Sequence, residues 1–143
     1  MQPMEISVTK LVPVPAEEVF DAWLDRGKPG GPWFGARGLA LNPVVGGLYW
    51  LEVEHAGRKW AHYGRFLAIE RPKRIEHTWM SEGTRGLETV VVLTFEPLGD
   101  STEVKLRHSG LADEEMGKGH QEGWTWCLSM LAQRFGAAPG ESA

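Results

Sequence analysis

Hydrophobic and polar positions change their period twice along this chain, and each change predicts a different kind of element. Ile6 and Val8 alternate with polar residues within 5–14, which is typical of a β-strand. Residues 15–25 place apolar side chains at helical spacing behind a proline and two acidic residues, a pattern that opens helices. The pattern therefore predicts a strand followed by a short helix.

A stretch rich in glycine and proline, residues 26–35, follows this helix and still contains the adjacent aromatic residues Trp33 and Phe34. Its composition argues against a long element. We expect a loop or one helical turn with an apolar tip, which would be the second of two short helices after the first strand.

The middle of the chain predicts a series of strands, because apolar alternation recurs between clusters of turn residues. Gly46-Gly47 and Arg71-Pro72 are two of these separators. Such spacing is expected of antiparallel hairpins. Counting the first strand, about seven strands are predicted, and the six further ones lie at 39–42, 48–54, 59–69, 75–80, 87–96 and 103–108.

Beyond Gly110 the apolar period changes from two to about 3.6 residues. Trp124 and Leu128 then lie on one face of a predicted helix of roughly 20 residues, which ends near Phe135 because the following Gly136 is a natural stop. The chain thus closes its regular structure with one long amphipathic helix.

This order of elements predicts an α+β domain in which one long helix covers a strongly curved antiparallel sheet of six to seven strands. At 143 residues the chain has about the length of one domain, so we expect a single domain over residues 1–136. Residues 137–143 have little to bury and are expected to be a disordered tail. A sheet that wraps a helix without touching it everywhere leaves room for an apolar small-molecule pocket.

Composition narrows the classes of function. Lys and Arg total 15 against 19 Asp and Glu, a net charge of −4 that disfavours nucleic acid as a partner. No apolar run approaches the roughly 20 residues that span a bilayer, and no secretory signal is recognisable, so we expect a cytoplasmic protein without membrane insertion.

The single cysteine, Cys127, cannot form an intrachain disulfide or a thiolate cluster. Seven tryptophans either fill a β-rich core or line a cavity or contact surface.

Several short motifs follow one another from about residue 5 to residue 135, and together they resemble a known family. They are residues 15–23 (PAEEVFDAW), Trp33-Phe34, Val45-Gly46-Gly47, residues 64–72 (GRFLAIERP), His77-Thr78-Trp79, His108-Ser109-Gly110-Leu111 and Gly123-Trp124. In this order they are similar to the SRPBCC (START/Bet v 1-like) superfamily and, within it, to the activator of Hsp90 ATPase homologue 1-like (AHSA1-like) family.

The resemblance implies a helix-grip fold, with a hydrophobic cavity between the sheet and the C-terminal helix. It implies no single chemistry, because members include lipid and small-molecule binders, cyclase-like enzymes, antibiotic-resistance proteins and a chaperone co-activator. Function has to be argued from the site.

Candidate ligand-binding residues are the aromatic, histidine and apolar positions that this cavity would bring together. His77 and Trp79 share one strand face, as do Trp60, His62 and Phe66, because side chains two apart point the same way. The alternative is that the aromatic residues are core and the histidines are hydrogen-bonded or face outward. The full set is Trp33, Phe34, Trp50, Trp60, His62, Phe66, His77, Trp79, His108, His120, Trp124 and Leu128.

His108 and His120 are the residues with a second interpretation, since imidazole titrates near neutral pH and can bind a polar group or act as acid and base. The alternative is structural, and the family resemblance favours it at His108. No metal ligand is assigned, because neither a His-x-x-x-His pair nor a cysteine cluster is present. No serine triad motif occurs either, so we predict no catalytic residues and no cofactor.

Three functions remain open at this stage. We favour a binding protein for a hydrophobic, aromatic or lipid-like small molecule. The second is a cyclase, dehydratase or hydrolase acting on an aromatic or polyketide substrate. The third is an interaction protein for an Hsp90-type chaperone, which the short acidic chain disfavours because the co-activator has an additional N-terminal domain. We expect a monomer or weak homodimer.

Overall fold

The computed structural model describes residues 3–25, 38–112 and 114–137. Within them lie a single 3₁₀ turn at Glu82–Thr84, seven strands and two helices. In chain order the strands and helices are β1 (Pro3–Val12), α1 (Ala16–Trp23), β2 (Gly38–Leu41), β3 (Leu48–His55), β4 (Arg58–Glu70), β5 (Arg74–Trp79), β6 (Thr89–Leu98), β7 (Ser101–Ala112) and α2 (Glu115–Arg134).

The seven described strands form one antiparallel sheet in the order β1-β7-β6-β5-β4-β3-β2. Consecutive strands from β2 to β7 pair as neighbours, and β1 pairs with the last strand, β7. Together with the long helix α2, this confirms the predicted α+β helix-grip fold with a curved sheet. The predicted second short helix and the predicted tail from residue 138 onward fall outside the described residues.

The strand β7 is longer than the sequence predicts. The prediction ended it at 108, whereas the structure continues it to Ala112 because β1 supplies pairing partners as far as Pro3. The register shifts between Met4 and Glu5, so that Gly110 has no opposite residue. Gly110 adopts φ +85°, a left-handed conformation that glycine reaches without steric cost. A bulge therefore carries the strand past the glycine that resembled its end.

Helix α2 follows β7 almost directly. A side chain at Gly117 would place its Cβ 2.0 Å from the carbonyl oxygen of Ala112, so only glycine permits this close approach. The helix ends before Gly136, whose φ of +100° confirms the predicted stop. Within the described residues, no helix is both long and apolar enough to cross a membrane.

Both helices pack on the same face of the sheet, which we call the inner face. From α1, Phe20 meets Phe95 of β6 edge to face at 5.3 Å, and Trp23 approaches Trp124 of α2 at 6.2 Å between ring centroids. Leu128 and Leu131 of α2 are fully buried beneath the helix. Each such residue contributes roughly 1.5–3 kcal/mol through burial, so the core itself fixes α2 on the inner face.

Candidate functional site

A continuous cluster of aromatic and imidazole rings lies on the inner face between the sheet and the helices. Alternate positions of β3, β4 and β5 point inward, because side chains two apart share a face. Trp79 contacts Trp124 with ring centroids 4.7 Å apart, and His77 stacks with Trp23 at 6.3 Å. We call this the inner cluster; its described rings are Trp23, Tyr49, Trp60, His62, Phe66, His77, Trp79, His108, His120 and Trp124.

A missing side chain makes room for one of these rings. Gly64 lies opposite Tyr49 in the β3–β4 pairing, and a Cβ there would come within 2.8 Å of the tyrosine ring. Tyr49 instead lies over the backbone and donates its hydroxyl proton to the carbonyl oxygen of Thr78. Burial raises the pKa of Tyr49 above its usual range, so the hydroxyl remains protonated and keeps this bond.

One end of the inner cluster is a closed hydrogen-bond network centred on His108. The indole N–H of Trp124 donates to Nδ1 of His108 at 2.8 Å, so Nδ1 carries no proton. The proton then lies on Nε2, which is 2.6 Å from the hydroxyl oxygen of Thr89. That hydroxyl donates in turn to the carbonyl oxygen of Trp79 at 2.6 Å. Both ring nitrogens of His108, the indole N–H of Trp124 and the hydroxyl of Thr89 therefore have hydrogen-bond partners.

The network keeps His108 neutral. Burial, and secondly the nearby His120 and His77, lower the pKa of His108 to about 2. Protonation of Nδ1 would also break the bond from Trp124. Both ring nitrogens are therefore engaged in structure, which leaves His108 poorly suited to transferring protons to a substrate.

His77 is also held by backbone. Its Nδ1 donates to the carbonyl oxygen of Thr78 at 2.9 Å, and the ring contacts Tyr49 and Phe66 edge to face. Burial lowers the pKa of His77 to about 4, so this fully buried ring is neutral near pH 7.

The other end of the inner cluster, at the β3–β4 hairpin, is open. Trp60 and His62 face inward but remain partly exposed, as does Val53 opposite Trp60. The His62 ring lies 4.8 Å from that of Trp79, which joins this end to the buried rings. Arg58 lies 4.3 Å over the Trp60 ring and pairs with Glu82 of the 3₁₀ turn. We call this region the open end.

One further imidazole, that of His120, borders the open end. His120 of α2 donates from Nδ1 to the carbonyl oxygen of Met116 at 2.9 Å and meets His108 edge to face at 5.1 Å. Burial lowers its pKa. Burial, and secondly the proximity of His120, lower the pKa of His62 to about 4, partly offset by a hydrogen bond to the backbone of Trp60. Both imidazoles are thus poor cations near pH 7.

Nε1 of Trp60 and Nε1 of Trp79 are buried and have no hydrogen-bond partner within the described part of the chain. Indole N–H is a donor only, and a buried donor without an acceptor costs roughly 1–3 kcal/mol. Trp79 is only 6% exposed, so bulk water does not satisfy it from the surface. These atoms distinguish the open end from the His108 network.

Trp50 is the predicted site residue that the structure places elsewhere. It pairs with Tyr63, and both side chains point to the outer face, where Trp50 is 39% exposed. There it lines an open groove of about 350 Å³ with Leu48, Tyr63 and Met80. The physical reason is strand alternation, because its neighbours Tyr49 and Leu51 are buried inside and only every second side chain can join them.

The remaining predicted residues fall into three groups. Leu128 is fully buried within the core under α2. Trp33 and Phe34 lie outside the described residues. The inner cluster brings together Trp60, His62, Phe66, His77, Trp79, His108, His120 and Trp124.

Sequence reasoning missed Tyr49, Trp23 and Thr89 as members of this site. Alternation offered a signal for Tyr49, since one aromatic of the pair Tyr49-Trp50 had to face inward. Nothing local marks Thr89, whose partners lie on β5 and β7. Among the described residues, no group of three His, Cys, Asp or Glu is placed to hold a metal ion.

Comparison with solved structures shows the same fold over nearly the whole chain. CV1439 from Chromobacterium violaceum is 24% identical with a TM-score of 0.77, covering 94% of this chain and 99% of that one. PFC0360w, an HSP90 activator from Plasmodium falciparum, is 21% identical with a TM-score of 0.65, over 87% and 89%. The Aha1 dimer from Colwellia psychrerythraea is 16% identical with a TM-score of 0.70, over 92% and 96%.

None of the curated proteins compared with this chain matches it. A family model does, and its match extends from the residue after β1 to just beyond the end of α2. Residues 13–136 match the model described as "Activator of Hsp90 ATPase homolog 1-like protein", and the chain belongs to this family.

Proposed function

We propose that this protein binds a hydrophobic small molecule, aromatic or lipid-like, against the inner face of its sheet. The observation that carries the proposal is the open end. Its inward-facing Trp60, His62 and Val53 stay partly exposed, although they continue directly into buried rings through the His62–Trp79 contact. An apolar surface that is left open at the margin of a core is where a flat ligand gains most by burial.

The test uses two tryptophans on opposite faces of one hairpin. Trp60 faces inward and Trp50 outward, and both are partly exposed. The freshly purified protein is examined by native mass spectrometry and then titrated with fatty acids and flat aromatic compounds, with indole N–H signals followed by NMR. We expect ligand-dependent shifts at Trp60, Trp79 and Trp124, and a binding constant weakened by Trp60→Ala but unchanged by Trp50→Ala.

Two results would oppose this function. Absence of any co-purified or titrating ligand across the panel would contradict it directly. Binding that is lost in Trp50→Ala and retained in Trp60→Ala would move the ligand to the outer groove and also contradict it.

A second candidate function, contact with an Hsp90-type chaperone, is favoured by the family and by the outer face. That face leaves Leu48 68% exposed beside Trp50 and Tyr63, an apolar surface of the kind that partner proteins cover. Stimulation of the host Hsp90 ATPase, reduced by Trp50→Ala and not by Trp60→Ala, would support this function. Failure to bind or stimulate the chaperone would dismiss it.

A further inference from the structure

The unpartnered indole N–H groups of Trp60 and Trp79 indicate which polar group the proposed ligand carries. Purely apolar packing would be served equally well by phenylalanine at Trp60 and Trp79. Both indole nitrogens are instead buried without an acceptor among the residues that the structure describes, and Nδ1 of His62 between them has no partner there either. Since buried polar groups are almost always hydrogen-bonded in native proteins, two orphaned donors in one region call for an acceptor from outside the chain.

The two donors flank one residue. Trp60 and His62 are two apart on β4 and share its inner face, and the His62 ring lies 4.8 Å from Trp79 on the neighbouring strand. The donors therefore belong to the same partly exposed region that we propose as the ligand's position.

The charges at this end disfavour an anionic ligand. Arg58, which lies over Trp60, is already paired with Glu82. Burial keeps His62 and His120 largely uncharged near pH 7. The buried Lys10 lies on β1, four places from β4 in the strand order. A carboxylate buried here would lose hydration without gaining a free counter-charge from these groups.

We propose that Trp60 and Trp79 are specificity-determining donors, whose indole N–H groups hydrogen-bond the uncharged carbonyl oxygen of a flat ketone- or quinone-type ligand. The proposal rests on the binding function proposed above. These donors would select such a ligand over the same carbon skeleton without oxygen, and over its anionic derivative.

Three compounds with one tricyclic skeleton test this selectivity on the wild-type protein. Fluorenone carries a carbonyl oxygen, fluorene carries a CH₂ group at the same place, and fluorene-9-carboxylate carries a charge. We expect fluorenone to bind roughly 3- to 10-fold more tightly than fluorene, the range of one net neutral hydrogen bond, and the carboxylate to bind most weakly. The indole N–H protons of Trp60 and Trp79 should move downfield with fluorenone and not with fluorene.

Variants then test whether the preference for fluorenone over fluorene depends on the two indole donors. Trp79→Phe and Trp60→Phe remove one N–H each and should reduce the preference for fluorenone over fluorene, while the matched outer-face variant Trp50→Phe should leave that preference unchanged. The wild-type indole shifts decide the question independently if either inner variant fails to fold.

The outcomes separate this inference from the binding function. Equal affinity for fluorenone and fluorene with equal indole shifts would show that bound water satisfies the donors, and would overturn the inference while hydrophobic binding stands. Tighter binding of the carboxylate would also overturn it. If no member of this series or of the wider panel binds, the proposed function itself fails.

Discussion

The two ends of the inner cluster contain the same chemical groups and use them differently. At the closed end, the indole N–H of Trp124 meets an imidazole acceptor on His108, and Thr89 completes the chain to a backbone carbonyl. At the open end, the indole nitrogens of Trp60 and Trp79 have no acceptor among the described residues. Residue type alone therefore does not separate the structural His108–Trp124 pair from the binding site that we propose; the hydrogen-bond partners of the polar atoms do.

Burial explains why the closed end is complete. His108 is fully buried and Trp124 is 2% exposed beneath α2, where an unpaired polar atom has no access to water. At the open end, Trp60 and His62 are partly exposed, and we propose that a small molecule supplies the missing acceptor there. The comparison predicts how each end responds when its hydrogen bonds or its charges are changed.

Acidification should have the largest effect. The folded-state pKa values of His62 and His77 are about 4 and that of His108 is about 2, all below the usual 6.5. Between the folded and unfolded pKa values, the unfolded chain therefore binds more protons than the folded one. Stability is therefore full above pH 6.5 and lost as the pH falls, by about 1.4 kcal/mol per pH unit for each histidine that titrates only when unfolded.

Urea denaturation at pH 7.5, 6 and 5 measures this slope. His62→Gln at the open end should reduce this dependence of the free energy of unfolding on pH by the contribution of one histidine. The dependence that remains comes mainly from the buried histidines. A free energy of unfolding that stays constant between pH 7 and pH 5 would contradict the neutral assignment of these histidines.

A pair of matched substitutions compares the two ends directly. Trp124→Phe and Trp79→Phe remove the same ring atoms from well-buried positions, but only Trp124 loses a hydrogen bond. We expect Trp124→Phe to destabilise the protein by about 1–3 kcal/mol more than Trp79→Phe, because it leaves Nδ1 of His108 unpaired. Equal losses in chemical denaturation would mean that the Trp124–His108 bond contributes nothing to stability.

Thr89→Val sharpens the same comparison with little change of shape. It removes the hydroxyl that links Nε2 of His108 to the carbonyl oxygen of Trp79 and should cost about 1–2 kcal/mol. Thr89→Ser keeps the hydroxyl and is the control. Thermal unfolding of both variants distinguishes loss of the hydrogen bonds from loss of the methyl group, and an equal effect would assign the cost to packing.

The smallest effect is expected at the margin of the open end. Glu82→Gln weakens the pair with Arg58, and both side chains are more than half exposed. Such pairs contribute between 0 and about 1 kcal/mol, so the melting temperature should hardly change. A loss of several kcal/mol would show that this pair, rather than α2, holds the hairpin against the rest of the fold.

The order of elements could be predicted because each depends on local pattern. Period-two alternation identified the strands, and a period of 3.6 identified the long helix and its stop before Gly136. The end of β7 could not be predicted, because it depends on pairing with β1, about a hundred residues away along the chain. Local turn residues at Gly110 suggested an earlier end than the sheet permits.

For the candidate site too, local pattern predicted some features and long-range packing decided the others. The sequence by itself placed Trp60, His62 and Phe66 on one face and His77 and Trp79 on another common face, since alternation is a property of each strand. Only the tertiary structure decided that Tyr49 points inward and Trp50 outward, and which nitrogens acquire partners. The physical reason is that these partners come from segments far apart in the sequence. The bond from Trp124 of α2 to His108 of β7, and the lack of an acceptor for Trp79 of β5 among the described residues, both depend on how those segments pack together.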